Sequence, residues 1–125
     1  MPKGVESSEL PHVLIIEDDR FNRHLYGDLL AAEAIEVRFA STAAQGFEAI
    51  RLDRPGLIVM DIELPDMDGL AATRLLKGEP RTASIPVLIV SAHALTDDLG
   101  DAYLRKPLKF PEFQETVRRL LRASD

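Results

Sequence analysis

The feature that most constrains this chain is a set of short, unbroken apolar runs that each stop on a polar residue. HVLIIEDD runs from His12 to Asp19, GLIVMD ends at Asp61, and PVLIVS ends at Ser91. A strand with one wet face alternates apolar and polar residues, so runs without alternation suit parallel strands covered on both faces. Two weaker segments, EVRFAS from Glu36 to Ser41 and AYLRK ending at Lys106, bring the candidate strands to five. Between them the spacing turns helical: Phe21, Leu25, Leu29 and Leu30 share one face, as do Phe47 and Ile50, then Leu70, Thr73 and Leu76. The last such segment, Pro111 to Arg122, sets Phe113, Val117, Leu120 and Leu121 on one stripe and places its proline in a first helical turn. Strand and helix alternate, and the fold class is α/β.

A chain of 125 residues fits one domain that buries a core without staples. Its longest apolar runs fall far short of the roughly 18 residues of a membrane span. The absence of cysteine excludes a disulfide framework and a thiolate metal site, and MPKGVESSELPH has no apolar core of a secretory signal, so a cytoplasmic location is expected. A net charge of −6 argues against nucleic acid and leaves proteins or cations as partners, with no membrane. Residues 1–11 read as a flexible lead-in and residues 12–125 as the single domain, without repeats or low-complexity tracts.

In an open α/β sheet, ligands bind outside the carboxyl ends of the strands. There this sequence sets Glu17, Asp18 and Asp19, then Asp61, then Ser91, then Lys106. Carboxylates gathered at one rim raise each other's pKa values unless a cation is shared between them. With oxygen ligands alone that cation is hard, and Mg²⁺ is the natural choice. A lysine opposite the metal pairs with a phosphoryl oxygen, and a serine hydroxyl bonds to another. Nucleophilic carboxylate, acidic pocket, hydroxyl and lysine together describe an aspartyl-phosphate site.

IIEDD, LIVMDIELPDMDG, the Ser91-Ala92 pair and AYLRKP, in this order, resemble the signature blocks of response-regulator receiver domains of two-component signalling. The likeness is greatest to single-domain regulators and to hybrid-kinase receivers whose first block reads EDN or EDD. It implies a flavodoxin-like, doubly wound parallel sheet of order 2-1-3-4-5. It also implies Asp61 as phosphoacceptor and Mg²⁺ on Asp18 directly, on Glu17 through water, on Asp61 and on the backbone carbonyl of Glu63. Ser91 stands where the family senses the phosphoryl group, Lys106 is its lysine, Tyr103 holds the aromatic switch position, and Pro107 follows a cis peptide. The implied partners are a histidine kinase or phosphotransfer protein and a downstream protein target. The implied function is signalling by phosphorylation-dependent binding, with no external substrate turned over.

Plainer readings stand beside these. A phosphatase of the haloacid dehalogenase type shares the aspartyl nucleophile but needs a DxD pair that IIEDDRF does not supply. A pseudo-receiver that scaffolds without phosphorylation is the runner-up. Asp19 is expected to cap the first helix, Asp66 and Asp68 to serve as turn residues between Pro65 and Gly69, His93 to be a surface histidine, and His12 and His24 to be structural or solvated.

The connection between Ser91 and Ala102 holds ten residues, while a strand-helix-strand crossover needs at least about 10 to 12 including its helix. Thr96, Asp97, Asp98 and Gly100 favour caps and turns over a helix interior. The family's fourth helix is therefore expected to be missing or cut to one turn. The gap is either an incidental deletion closed by a loop, or it leaves apolar surface bare on strands four and five and on the third helix to receive a protein partner or, as a homodimer, a second copy.

Overall fold

The computed structural model describes residues 11–94 and 99–123. Its elements are β1 His12–Ile16, α1 Arg20–Ala31, β2 Glu36–Ala40, α2 Ala43–Leu52, β3 Leu57–Asp61, α3 Gly69–Lys77, β4 Val87–Ser91, β5 Ala102–Arg105 and α4 Phe110–Ala123. All neighbouring strands pair in parallel, in the order β2-β1-β3-β4-β5 that the resemblance implied. Of the lead-in expected over 1–11, only Pro11 lies among the described residues.

Every residue of β1, β3 and β4 is buried, which is why their sequences do not alternate. Successive side chains serve two cores instead. Leu14, Ile16, Ile58, Met60, Val87 and Ile89 pack under α2 and α3, while Val13, Ile15, Leu57, Val59, Leu88 and Val90 pack under α1 and α4. Each such side chain contributes about 1.5–3 kcal/mol by leaving water, and this two-sided burial holds the strand ends in one row.

Helix α1 keeps most of the expected stripe, with Leu30 buried and Leu25 and Leu29 packed against the same core, but Phe21 leaves it. Phe21 is 71% exposed and Leu25 and Leu29 are half-buried, whereas Tyr26, Gly27 and Leu30 face inward. The helix turns this ridge to the sheet because Tyr26 packs on Phe113, ring centroids 5.4 Å apart, and Gly27 leaves room for the Phe39 ring. Asp19 takes the N-cap position but makes no side-chain cap. Its amide donates to Glu17 Oε2 at 3.1 Å. Asp68 does cap, its Oδ1 accepting from Leu70 N at 2.6 Å. Asp66 is more than a turn residue: its carboxylate accepts from the amides of Ala43 and Ala44, both at 2.9 Å, tying the β3–α3 loop to the start of α2. Those two hydrogen bonds, that of Ala44 first, hold its pKa below the ordinary value.

Between β4 and β5, residues 92–94 and 99–101 are non-helical, and the rest of the expected gap, residues 95–98, lies outside the described residues. The described end of the connection, at Gly100 and Asp101, lies on the sheet. Asp101 N donates to Val87 O at 2.8 Å, and Asp101 Oδ2 accepts from Val87 N and from Lys77 Nζ, each at 2.8 Å. Gly100 lies so close to the sheet that a Cβ there would sit 2.8 Å from Ile89 Cδ1. The bare apolar surface expected on strands four and five is therefore not found among the described residues: β4 is fully buried, and Ala102, Tyr103 and Leu104 are half-buried. Close backbone approach at Gly100 brings the chain onto Ile89 and the Val87 carbonyl.

Candidate functional site

Four strand ends meet at one rim. Glu17 directly follows β1 and is fixed by its amide to Ala40 O at 3.0 Å, Asp61 and Ser91 are the last residues of β3 and β4, and Lys106 directly follows β5 with its amide on Ser91 O at 2.7 Å. The carboxylates of Glu17, Asp18 and Asp61 each bring an oxygen within 4.8 Å of the others. Glu17 and Asp61 are buried, at 2% and 4% exposure, while Asp18 opens to solvent. Lys106 Nζ spans the buried pair, 3.2 Å from Glu17 Oε1 and 3.3 Å from Asp61 Oδ1.

Burial foremost, and then the Asp61 charge, pushes the Glu17 carboxyl up to about 7, against the restraint of the Asp19 amide and of Lys106. Burial works to lower the Lys106 pKa, but the Glu17 and Asp61 charges outweigh it and leave the value raised. The pocket thus holds more negative charge than its single ammonium balances. An oxygen-only donor set of this kind fits a hard divalent cation such as Mg²⁺.

The loops that carry these groups are braced. Arg23 Nη1 donates to the carbonyls of Glu17 at 2.9 Å and Asp18 at 3.0 Å, pinning the β1–α1 turn from the first turn and a half of α1. The sequence reading passed over Arg23, whose only signal is a cation five and six residues beyond the acidic pair. Gly69 is pressed against the end of β3, where a Cβ would strike the Asp61 carbonyl and the Ile62 backbone, so no larger residue opens α3 there. Glu63 N reaches Asp61 Oδ1 at 3.3 Å, setting the β3–α3 loop over the site.

The remaining sequence candidates fall around this centre. Ser91 is buried and its Oγ accepts from His93 N at 3.0 Å. His93 is a surface residue, its Nε2 3.5 Å from the exposed Glu63 carboxylate. Tyr103 is half-buried on β5 and its hydroxyl accepts from Gly100 N at 2.9 Å, joining it to the short crossover. The Lys106–Pro107 peptide is cis. His12 sits buried at the start of β1, away from the rim, with a pKa lowered by burial and next by Arg38; His24 is exposed on α1.

A doubly wound parallel sheet carrying a buried carboxylate pair, a third acid and a lysine at its carboxyl rim is the architecture of receiver modules. Residues 13–118 match the response regulator receiver domain family, and the chain belongs to that family. It is 35% identical to the polar-differentiation response regulator DivK of Brucella anthropi over 116 residues, 87% of this chain and 94% of that protein. The CheY-like response regulator receiver domain protein of Methanospirillum hungatei superposes with a TM-score of 0.84 at 26% identity, covering 93% of this chain and 97% of that one. A sensor histidine kinase receiver domain from Pseudomonas aeruginosa, solved with a magnesium ion coordinated in its active site cleft, has a TM-score of 0.80 at 26% identity and covers 89% and 97%. No helix among the described residues is long and apolar enough to cross a membrane.

Proposed function

We propose that this receiver takes a phosphoryl group onto Asp61 from a phosphohistidine donor and signals by changing its affinity for a protein partner. The observation that carries the reading is Lys106 Nζ bridging the buried Glu17 and Asp61 carboxylates with Asp18 alongside. Glu17, Asp18, Asp61 and the Glu63 carbonyl would hold Mg²⁺, which supplies charge neutralisation on the transferring group. An Asp61 oxygen attacks phosphorus, the bond from phosphorus to the donor imidazole breaks, and that nitrogen leaves with the electron pair. Lys106 stabilises the charge on the phosphoryl oxygens, and the Ser91 hydroxyl donates to one of them. Water later cleaves the acyl phosphate, so the chemistry is confined to the protein's own aspartate.

A donor must approach over solvent-exposed surface beside the rim. Phe21, 71% exposed, and Phe110, 45% exposed, flank a hollow of about 540 Å³ that Lys106 and Pro107 also line, and this apolar patch suits a protein that presents its phosphohistidine to Asp61.

The test is a small-molecule phosphodonor, acetyl phosphate, with and without Mg²⁺, read on phosphate-affinity gels and by mass spectrometry. Mg²⁺-dependent, acid-stable and base-labile modification that disappears in Asp61→Asn is expected. An unmodified wild type would overturn the reading in favour of a scaffold that works without phosphorylation.

A further inference from the structure

At the opposite end of the sheet, α2 and α3 enclose a groove of about 550 Å³ that the phosphoryl site does not use. Its walls are Phe47 and Ile50 from α2 and Leu75 and Leu76 from α3, and Leu75 is 57% exposed at its lip. The rim is cationic: Arg51, Arg54 and Arg81 line it against a single acid, Glu79, in a chain whose net charge is −6. Arg51 is offset by Glu48 at 2.6 Å. Arg54, by contrast, is oriented by neutral acceptors, the Arg81 carbonyl and Ser84 Oγ, and Arg81 has no ion pair among the described residues.

We propose that this groove is a docking site for an acidic amphipathic helix of a protein partner. Three features select that occupant. Exposed leucine over an apolar floor rewards inserted aliphatic side chains. Two guanidiniums without carboxylates at the rim reward Asp or Glu flanking those side chains, in the bidentate geometry that arginine offers. Both walls are helices, whose backbone bonds close on themselves, so an extended segment finds no strand edge to extend; the sheet edges, β2 and β5, lie elsewhere. Arg54 precedes β3 and Arg81 precedes β4, whereas Asp61 and Ser91 end those strands. About 15 Å of strand thus separates groove from phosphoryl site, and both faces bind at once. The groove would tether the receiver to a partner whatever its phosphorylation state.

The probe is a fluorescein-labelled helical peptide with leucines at i, i+3, i+4 and i+7 flanked by glutamates, titrated against the full chain by anisotropy, with amide chemical shifts mapping the contact. Saturable binding is expected, with shifts on α2 and α3, affinity falling at least about tenfold in Leu75→Glu and in Arg81→Glu, and no change in Asp61→Asn. Both altered groove residues are exposed, and an unchanged circular dichroism spectrum separates lost docking from lost fold. A lysine-flanked peptide binding equally well, shifts clustered at the Asp61 rim, or affinity indifferent to both groove variants would overturn the proposal. So would a dimer in sedimentation that Leu75→Glu dissociates, which would make a second copy the occupant, or saturable dodecanoate binding that the peptide does not displace.

Discussion

Glu17→Gln is expected to make the metal-free protein more stable at alkaline pH and less responsive to Mg²⁺. Glutamine copies the shape of the protonated carboxyl and keeps an acceptor for the Asp19 amide, but carries no charge. The Glu17 carboxyl, ordinarily near 4.5, is pushed up to about 7 in the fold, by burial first and the Asp61 charge second. At about 1.4 kcal/mol per tenfold change in proton affinity, ionising it inside the protein costs on the order of 3–4 kcal/mol. Because the folded value is raised, the native chain holds this proton more tightly than the unfolded chain. The associated stability is present in full below pH 4.5 and is lost as pH rises through about 7. The assay is urea unfolding followed by circular dichroism, with chelator present. At pH 8 the variant should unfold later by roughly 1–3 M urea, and near pH 4.5 the two curves should converge. Adding millimolar Mg²⁺ should raise the wild-type midpoint by mass action and the variant's by less. A variant less stable than wild type at pH 8, or a separation that does not change with pH, would refute the argument from burial and repulsion.

Three further outcomes are expected. Lys106→Met keeps most of the stem but removes the ammonium between Glu17 and Asp61, so Mg²⁺-dependent modification of Asp61 should persist while the spectral change it triggers weakens; a full response would sink the assigned role. Gly100→Val brings a side chain against Ile89 Cδ1, 2.8 Å from the first added carbon, and should destabilise by about 1–3 kcal/mol in thermal or urea melts. Lys77→Met removes the donor to Asp101 Oδ2 at 2.8 Å and to Ile85 O at 2.9 Å, and should cost about 1–2 kcal/mol, with exchange of the Val87 and Asp101 amides accelerated first.

The sequence by itself determined which segments are buried strands and which polar residues close them. Runs as apolar as VLII, LIVM and VLIV are stable only when covered on both faces, and polar residues closing such runs are carried to a common edge whatever the detail of packing. Hence Glu17, Asp61, Ser91 and Lys106 were legible as a group before any coordinate was known. Tertiary structure decided what depends on neighbours distant in sequence. The centre of the α1 face that turns inward was set by Tyr26 meeting Phe113, some ninety residues away, and by Gly27 admitting Phe39, so Phe21 was left outside while Leu25, Leu29 and Leu30 kept their places on the core. Asp66 became a cap because the start of α2 lies across from it, and Arg23 a brace because the turn before α1 offers two carbonyls. The short crossover was legible as a deficit of residues, but the contacts of its described end were not: only packing shows Gly100 lying on Ile89 and Lys77 clasping Asp101. Spacing along a chain records which groups are local to one another, and cannot record the partners that folding brings from elsewhere.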